Sequence, residues 1–193
     1  YTNEAWNYSF DQAHDLFDGP IGAQQEVANN PNSPLIFDGN NNGNVLWIRN
    51  YANRALNVSK IYRSVFGDSA MMTRIRPVLY WQYNNLNDTA EVELQFLNDY
   101  YNNADGIQHV TDPQPVSYYF WGGGGAIYFN SNNDSAATVD ELFASGIPQT
   151  GYQNILNNES EWARLYGLHF MAYEGSWGIL GTGNIGVAKV IPA

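Results

Sequence analysis

The sequence predicts an α/β fold organised around a parallel sheet, and three observations lead there. Extended and helical patterns alternate along the chain, the order expected when crossover helices separate parallel strands. The extended stretches are densely apolar, as strands covered on both faces are. Two of them run directly into glycine, at 122–125 and at Glu174-Gly175. The chain has 193 residues, which suits one domain or part of one, and shows no solenoid-type repeat.

Over residues 5–17, Trp6, Phe10, Ala13, Leu16 and Phe17 recur at helical spacing until Gly19-Pro20 stops them. A helix is therefore expected right after residues 1–4. Pro20, Pro31, Pro34 and the run Asn40-Asn41-Asn42-Gly43 make 19–43 a long surface excursion, with one helical turn near 24–28. Asn44 reads as the N-cap of an amphipathic helix to about Phe66, ended by Gly67. Residues 73–81 form a strand candidate with Pro77 awkward in its middle. Asp88 or Thr89 caps a helix through Tyr101, and 107–110 is an extended connector. Residues 116–121 read as an aromatic strand, 138–144 and 151–166 as helices, and 168–173 as a strand ending at Glu174. The tail 178–193 holds a loop-like Gly181-Thr182-Gly183-Asn184, then an apolar stretch, 185–191, with no clear strand or helix signature.

Composition narrows the partners. The hydrophobic fraction is 44% against 14% charged, a globular balance rather than a disordered one. The net charge of −11 repels phosphate backbones and anionic headgroups, which argues against nucleic acid. Six Trp, 14 Tyr and 25 Asn suit a neutral polyhydroxylated ligand, since aromatic faces cover the C–H faces of sugars while amides bond hydroxyls. With no Cys, disulfides and Cys-based metal sites are excluded. No apolar run is long enough for a membrane span. His14, His109 and His169 share no metal-ligand spacing, so no metal and no cofactor is expected. Asn7, Asn57, Asn87, Asn133 and Asn158 open Asn-X-Ser/Thr triplets, candidate glycan acceptors in a secreted protein.

Among many acidic residues, Glu4 and Glu174 are distinguished by setting. Glu4 lies at a strand-to-helix junction beside Asn3, and Glu174 terminates an apolar strand. On a parallel barrel, strand C-termini form the active face, so both carboxylates would enter one cleft. Retaining glycosidases use two such groups, one protonated to assist the leaving group and one ionised to attack the anomeric carbon. Asn3 can bond a sugar 2-hydroxyl, and Tyr119 or Tyr173 can orient Glu174. From spacing alone the two also read as ordinary acids, one in a helical first turn and one in a loop.

Tyr1-Thr2-Asn3-Glu4-Ala5-Trp6-Asn7 resembles the segment that closes strand four in clan A glycoside hydrolases and related secreted carbohydrate-active proteins, where the Glu after Asn is the acid/base. Met171-Ala172-Tyr173-Glu174-Gly175 resembles the close of strand seven, which supplies the nucleophile, with Ser176 where relatives often have a second Gly. Between them, Tyr62 to Gly67, Arg76-Pro77-Val78-Leu79 and Tyr118-Tyr119-Phe120 are similar to the helix before strand five, strand five and strand six. The resemblance implies a (β/α)8 TIM-barrel-like domain of which residues 1–193 form a single segment. Strands one to three, and strand eight with them, would come from a longer parent chain or another copy, because a half barrel leaves an open edge.

The implied function is an O-glycosyl hydrolase, cleaving a β-linked poly- or oligosaccharide with retention in polysaccharide degradation outside the cell. Glu4 would be acid/base and Glu174 nucleophile. Trp81, Gln82 and Trp121 fall at expected strand ends as candidates for sugar contact, with Tyr119, Tyr173 and Trp177 beside them. Residues 122–125 read as a close-approach loop over the cleft. The alternative is a non-catalytic extracellular glycan-binding or structural assembly protein with a glycosidase-like barrel.

Overall fold

The computed structural model describes residues 4–133 and 135–176. Among them run α1 (Asp11–Phe17), α2 (Ala23–Asn29), α3 (Gly43–Phe66), β1 (Val78–Tyr80), α4 (Ala90–Tyr101), α5 (Val116–Tyr119), β2 (Gly122–Gly124), α6 (Val139–Ala144), α7 (Tyr152–Leu165) and β3 (His169–Phe170). Asn3, Trp177 and the tail 178–193 lie outside the described residues.

The sheet is parallel in the order β1-β2-β3, with Leu79 opposite Gly123 and Gly123 opposite Phe170. The expected parallel pairing with helical crossovers is therefore present, but the (β/α)8 barrel is not. The described chain is mostly helical, and its strands of three, three and two residues make a small open sheet. A barrel interior is filled by side chains layered from successive strands. Here the middle strand is Gly-Gly-Gly and offers none. The molecule is a small α/β fold in which helices supply most of the core.

Local chemistry explains where the elements fall. Asp38, Asn40 and Asn42 form a staircase of side-chain turns, each accepting from the backbone N–H two residues on, at 3.0, 2.9 and 2.9 Å. Asn42 thereby caps α3, two residues earlier than Asn44, and Gly67 ends the helix at φ 80°. Near the start, Asn7 bonds the Glu4 carboxylate and accepts from Ser9 N, so side chains compete with a helix and 4–9 form turns. The helix expected over 5–17 is thus confined to α1.

The aromatic stretch 116–121 is not a strand. Residues Val116–Tyr119 make a helical turn closed by Phe120 N donating to Val116 O, and α3 holds the turn's carbonyls. Ser59 Oγ donates to Tyr119 O and Arg63 Nη2 to Tyr118 O, both at 2.5 Å. The strand forms at the glycines instead, and the loop expected over the cleft at 122–125 is a buried strand and its continuation. Only glycine fits there. A Cβ on Gly124 would stand 1.7 Å from Met171 O, and one on Gly123 2.7 Å from the Trp81 ring.

The core joins Leu79, Trp81, Leu94, Leu97, Phe120 and Leu168 to Leu35, Leu46 and Leu56, each worth about 1.5–3 kcal/mol when fully buried. Helix α3 packs along α4 and meets α1 and α2, while α7 lies on β2 and β3. Downstream, α3 leaves Val58, Ile61, Tyr62 and Val65 exposed. No helix among the described residues is long and apolar enough to cross a membrane.

Candidate functional site

Parallel strands of an open α/β sheet bind ligands outside their carboxyl ends. At that edge β1 continues into Trp81, Gln82 and Tyr83, β2 into Gly125, and β3 into Tyr173 and Glu174. The three tails are stitched together. Trp81 N donates to Gly124 O at 3.1 Å, Met171 N to Gly123 O at 3.0 Å and Tyr173 N to Gly125 O at 3.3 Å.

Residues 126–129 then run beside 174–176, with Ile127 N donating to Glu174 O at 2.9 Å and Phe129 N to Ser176 O at 3.1 Å. The approach is close enough that a Cβ on Gly175 would sit 2.1 Å from Ile127 Cγ1. This pairing carries the Tyr128 hydroxyl to Glu174, where it donates to Oε1. Tyr83 supports it from the β1 side, its hydroxyl donating to Tyr128 O at 3.0 Å with the rings edge-on at 6.1 Å.

Glu4 arrives from the other end of the described chain. Its backbone is left-handed, φ 44°, a region rarely occupied by residues other than glycine and one that recurs at functional sites. Asn7 Nδ2 donates to its Oε2 at 2.8 Å. Trp6 next to it meets the Tyr173 ring at 5.6 Å, and Tyr173 meets Tyr80 at 5.5 Å.

Two phenols lie within the electrostatic reach of both carboxylates. Tyr128 is pushed up to about 12 by burial first, then by its bond to Glu174, then by the charges of Glu174 and Glu4. Tyr173 is also raised well above the ordinary phenol value, by burial first and then by Glu4, Tyr128, Glu174 and Glu159. Both carboxylates therefore act on both phenols. Held neutral, Tyr128 remains a donor to Glu174 throughout the physiological range. One carboxylate is exposed with a phenol on one of its oxygens, and the other is half-buried and held by an amide.

The remaining sequence candidates scatter. Trp81 is fully buried, because its side chain shares the inward face with Leu79 two residues before it, so its ring is core rather than a sugar platform. Gln82 is half-buried and accepts from Asn85 Nδ2 at 2.8 Å. Tyr119 and Trp121 precede β2 and so stand at the opposite end of the sheet from Glu174. Tyr119 is buried against Tyr101 and Tyr118, and Trp121 stacks on His169 at 4.3 Å. Tyr128, not Tyr119, holds Glu174. Among the glycan acceptors, Asn57, Asn87, Asn133 and Asn158 are exposed, whereas the Asn7 amide nitrogen, the atom a glycan would take, is bonded to Glu4.

Tyr83, Tyr128 and Glu159 escaped the sequence reading, and Asn7 was read as a glycan acceptor rather than as the partner of Glu4. The available signal was the glycine run: four consecutive glycines imply backbone pressed against backbone, and Tyr128 is the first tyrosine beyond them. Comparison with protein-family models, with curated proteins and with solved structures finds no match to this chain.

Proposed function

We propose that this chain hydrolyses a β-linked oligo- or polysaccharide with retention, Glu174 acting as nucleophile and Glu4 as acid/base. The observation that carries the reading is the Trp6–Tyr173 ring contact, which brings the segment holding Glu4 against the tail of β3, where Tyr128 donates to Glu174. The resemblance of the segments around both residues to glycosidase motifs supports the same assignment. A small α/β scaffold, rather than a barrel, supplies the edge.

In the first step Glu4 gives its proton to the glycosidic oxygen as that bond breaks, while the free oxygen of Glu174 bonds to the anomeric carbon. Tyr128, donating to Oε1, holds the attacking carboxylate in one orientation. In the second step Glu4 takes a proton from water, whose oxygen displaces Glu174 and restores the configuration. Trp6, Tyr80 and Tyr173 form an aromatic wall beside the carboxylates, suited to the C–H face of a sugar ring.

The test is a panel of aryl β-glycosides, followed by 2-deoxy-2-fluoro analogues that trap a covalent intermediate. Turnover with retained anomeric configuration and mass labelling on Glu174 is expected. Inertness of the protein across the panel, with β-glucan binding preserved and equal in Glu174→Gln, would replace the enzyme with a glycan-binding protein.

A further inference from the structure

We infer that Glu159 on α7 is a positioning residue for the carboxylate edge, setting Glu174 through Tyr83 and Tyr128; this rests on the glycosidase reading for its kinetic consequence. Glu159 is fully buried, where a carboxylate is costly unless its oxygens are bonded. Both are. Oε2 accepts from Trp81 Nε1 at 2.5 Å and Oε1 from Asn84 N at 2.8 Å.

These two donors flank Tyr83 in the chain. Asn84 sits at φ 55°, a left-handed conformation that an N–H bond from this residue helps to fix. With Trp81 clamped on one side and Asn84 on the other, the Tyr83 backbone has little freedom, and its hydroxyl is set against Tyr128 O. Tyr128 in turn donates to Glu174.

A second arm leaves from the same carboxylate. The position a Cβ would take on Gly125 lies 3.0 Å from Glu159 Oε2 and 3.0 Å from Tyr83 Cα, so the three are pressed together. Gly125 O accepts from Tyr173 N, the residue before Glu174. One buried side chain therefore braces the tails of β1 and β2, and through the Gly125 carbonyl the β2 tail holds that of β3. An apolar residue here would pack the core but leave Trp81 Nε1 and Asn84 N without an acceptor, and the β1 tail without its clamp.

The experiment uses the full chain labelled at tyrosine Cζ with 13C, the Tyr128 resonance being assigned through Tyr128→Phe and its response calibrated with Glu174→Gln. Glu159→Gln, which puts an amide N–H against one of the two donors, is expected to displace the Tyr128 resonance, and so is Tyr83→Phe. On an aryl β-glycoside turned over by the wild type, each lowers kcat by about 10- to 100-fold with KM within about threefold. Tyr83→Phe adds little to the loss caused by Tyr128→Phe, because both act through one contact, and Glu159→Gln adds less than its full single loss, the remainder passing through Gly125. An unmoved Tyr128 resonance in Tyr83→Phe and Glu159→Gln, or losses that multiply fully with Tyr128→Phe, overturns the inference. Should Glu159→Gln fail to fold, Glu159→Asp, which keeps the carboxylate but withdraws it from its two donors, takes its place and is held to the same outcomes. A wild type that cleaves no glycoside defeats the glycosidase reading, and the resonance shifts still decide whether Glu159 sets Tyr128.

Discussion

The two ends of the small sheet are furnished with similar aromatic rings and opposite charges. At the carboxyl edge the Tyr128 hydroxyl donates to Glu174, and the phenols of Tyr128 and Tyr173 are driven upward in pKa by burial first and then by the charges of Glu174 and Glu4. At the amino edge the rings are covered by cations. Arg63 lies 3.7 Å above Tyr118, Arg76 4.8 Å above Trp121, and Lys60 4.8 Å from Tyr101 and 5.6 Å from Tyr119. Rings capped in this way have their faces occupied, whereas Glu174 keeps an exposed carboxylate. Aromatic content alone thus says little about ligand binding; the partner of each ring decides.

The largest expected effect separates the two edges by activity. Glu4→Gln should lower kcat on aryl β-glycosides by about 10²–10⁴-fold, the contribution of a positioned acid-base group. Trp121→Phe at the amino edge should leave kcat unchanged in the same assay. Next in size, Trp81→Ala is expected to cost about 3–5 kcal/mol in urea unfolding, since it opens a cavity under the carboxyl edge and strips Glu159 of one donor.

The third prediction contrasts two buried glutamates. Glu93 on α4 is fully buried like Glu159, but neither of its oxygens has a hydrogen-bond partner among the described residues. Burial raises its pKa well above the ordinary 4.5. Its contribution to stability is therefore full below the unfolded value and is lost as pH rises through the higher folded one. Glu93→Leu should stabilise the protein by about 1–3 kcal/mol at pH 7, the cost of an unsatisfied buried group. The gain should shrink toward pH 4 in denaturant titrations, whereas Glu159→Leu should destabilise. The smallest effect is Arg76→Ala, worth about 0.5–1 kcal/mol for an exposed cation over an aromatic ring, measured by urea unfolding with activity unaltered.

Helices with strong local signals were readable from the sequence. Gly67 ends α3 as expected, though its N-cap is Asn42 rather than Asn44, Thr138 accepts from Glu141 N to cap α6, and the spacing of apolar residues marks α4 and α7. The strands were less so. At 116–121 the aromatic content suggests a strand, while the carbonyl bonds from Ser59 and Arg63 that stabilise a helical turn come from far away in the chain. Nothing local reveals them. Strand β2 was hidden for the opposite reason: glycine has poor intrinsic strand preference, and the reason for its use is the closeness of Trp81 and Met171.

The site shows the same division. Glu4, Glu174 and Tyr173 were visible because a motif or a strand end marks them. Tyr128 was not, since it reaches Glu174 only after Gly175 allows residues 126–129 to slide alongside. Trp81 was misplaced because a strand end in sequence does not say which face of the strand a side chain takes; Leu79 and Trp81 share the inner one. The barrel expectation failed for a related reason. Alternation of strand and helix fixes parallel pairing, but closure depends on strand length and on side chains that a glycine strand lacks.

That glycine strand has a consequence for how the molecule assembles. Each glycine gives up about 0.5–1 kcal/mol more than alanine when it is ordered, and β2 has no side chain with which to recover it. Its order is borrowed from β1 and β3, with which it pairs in parallel. The register of the tyrosines that surround Glu174 is therefore inherited from three pieces of chain far apart in sequence, and loosening either neighbour strand should loosen the site.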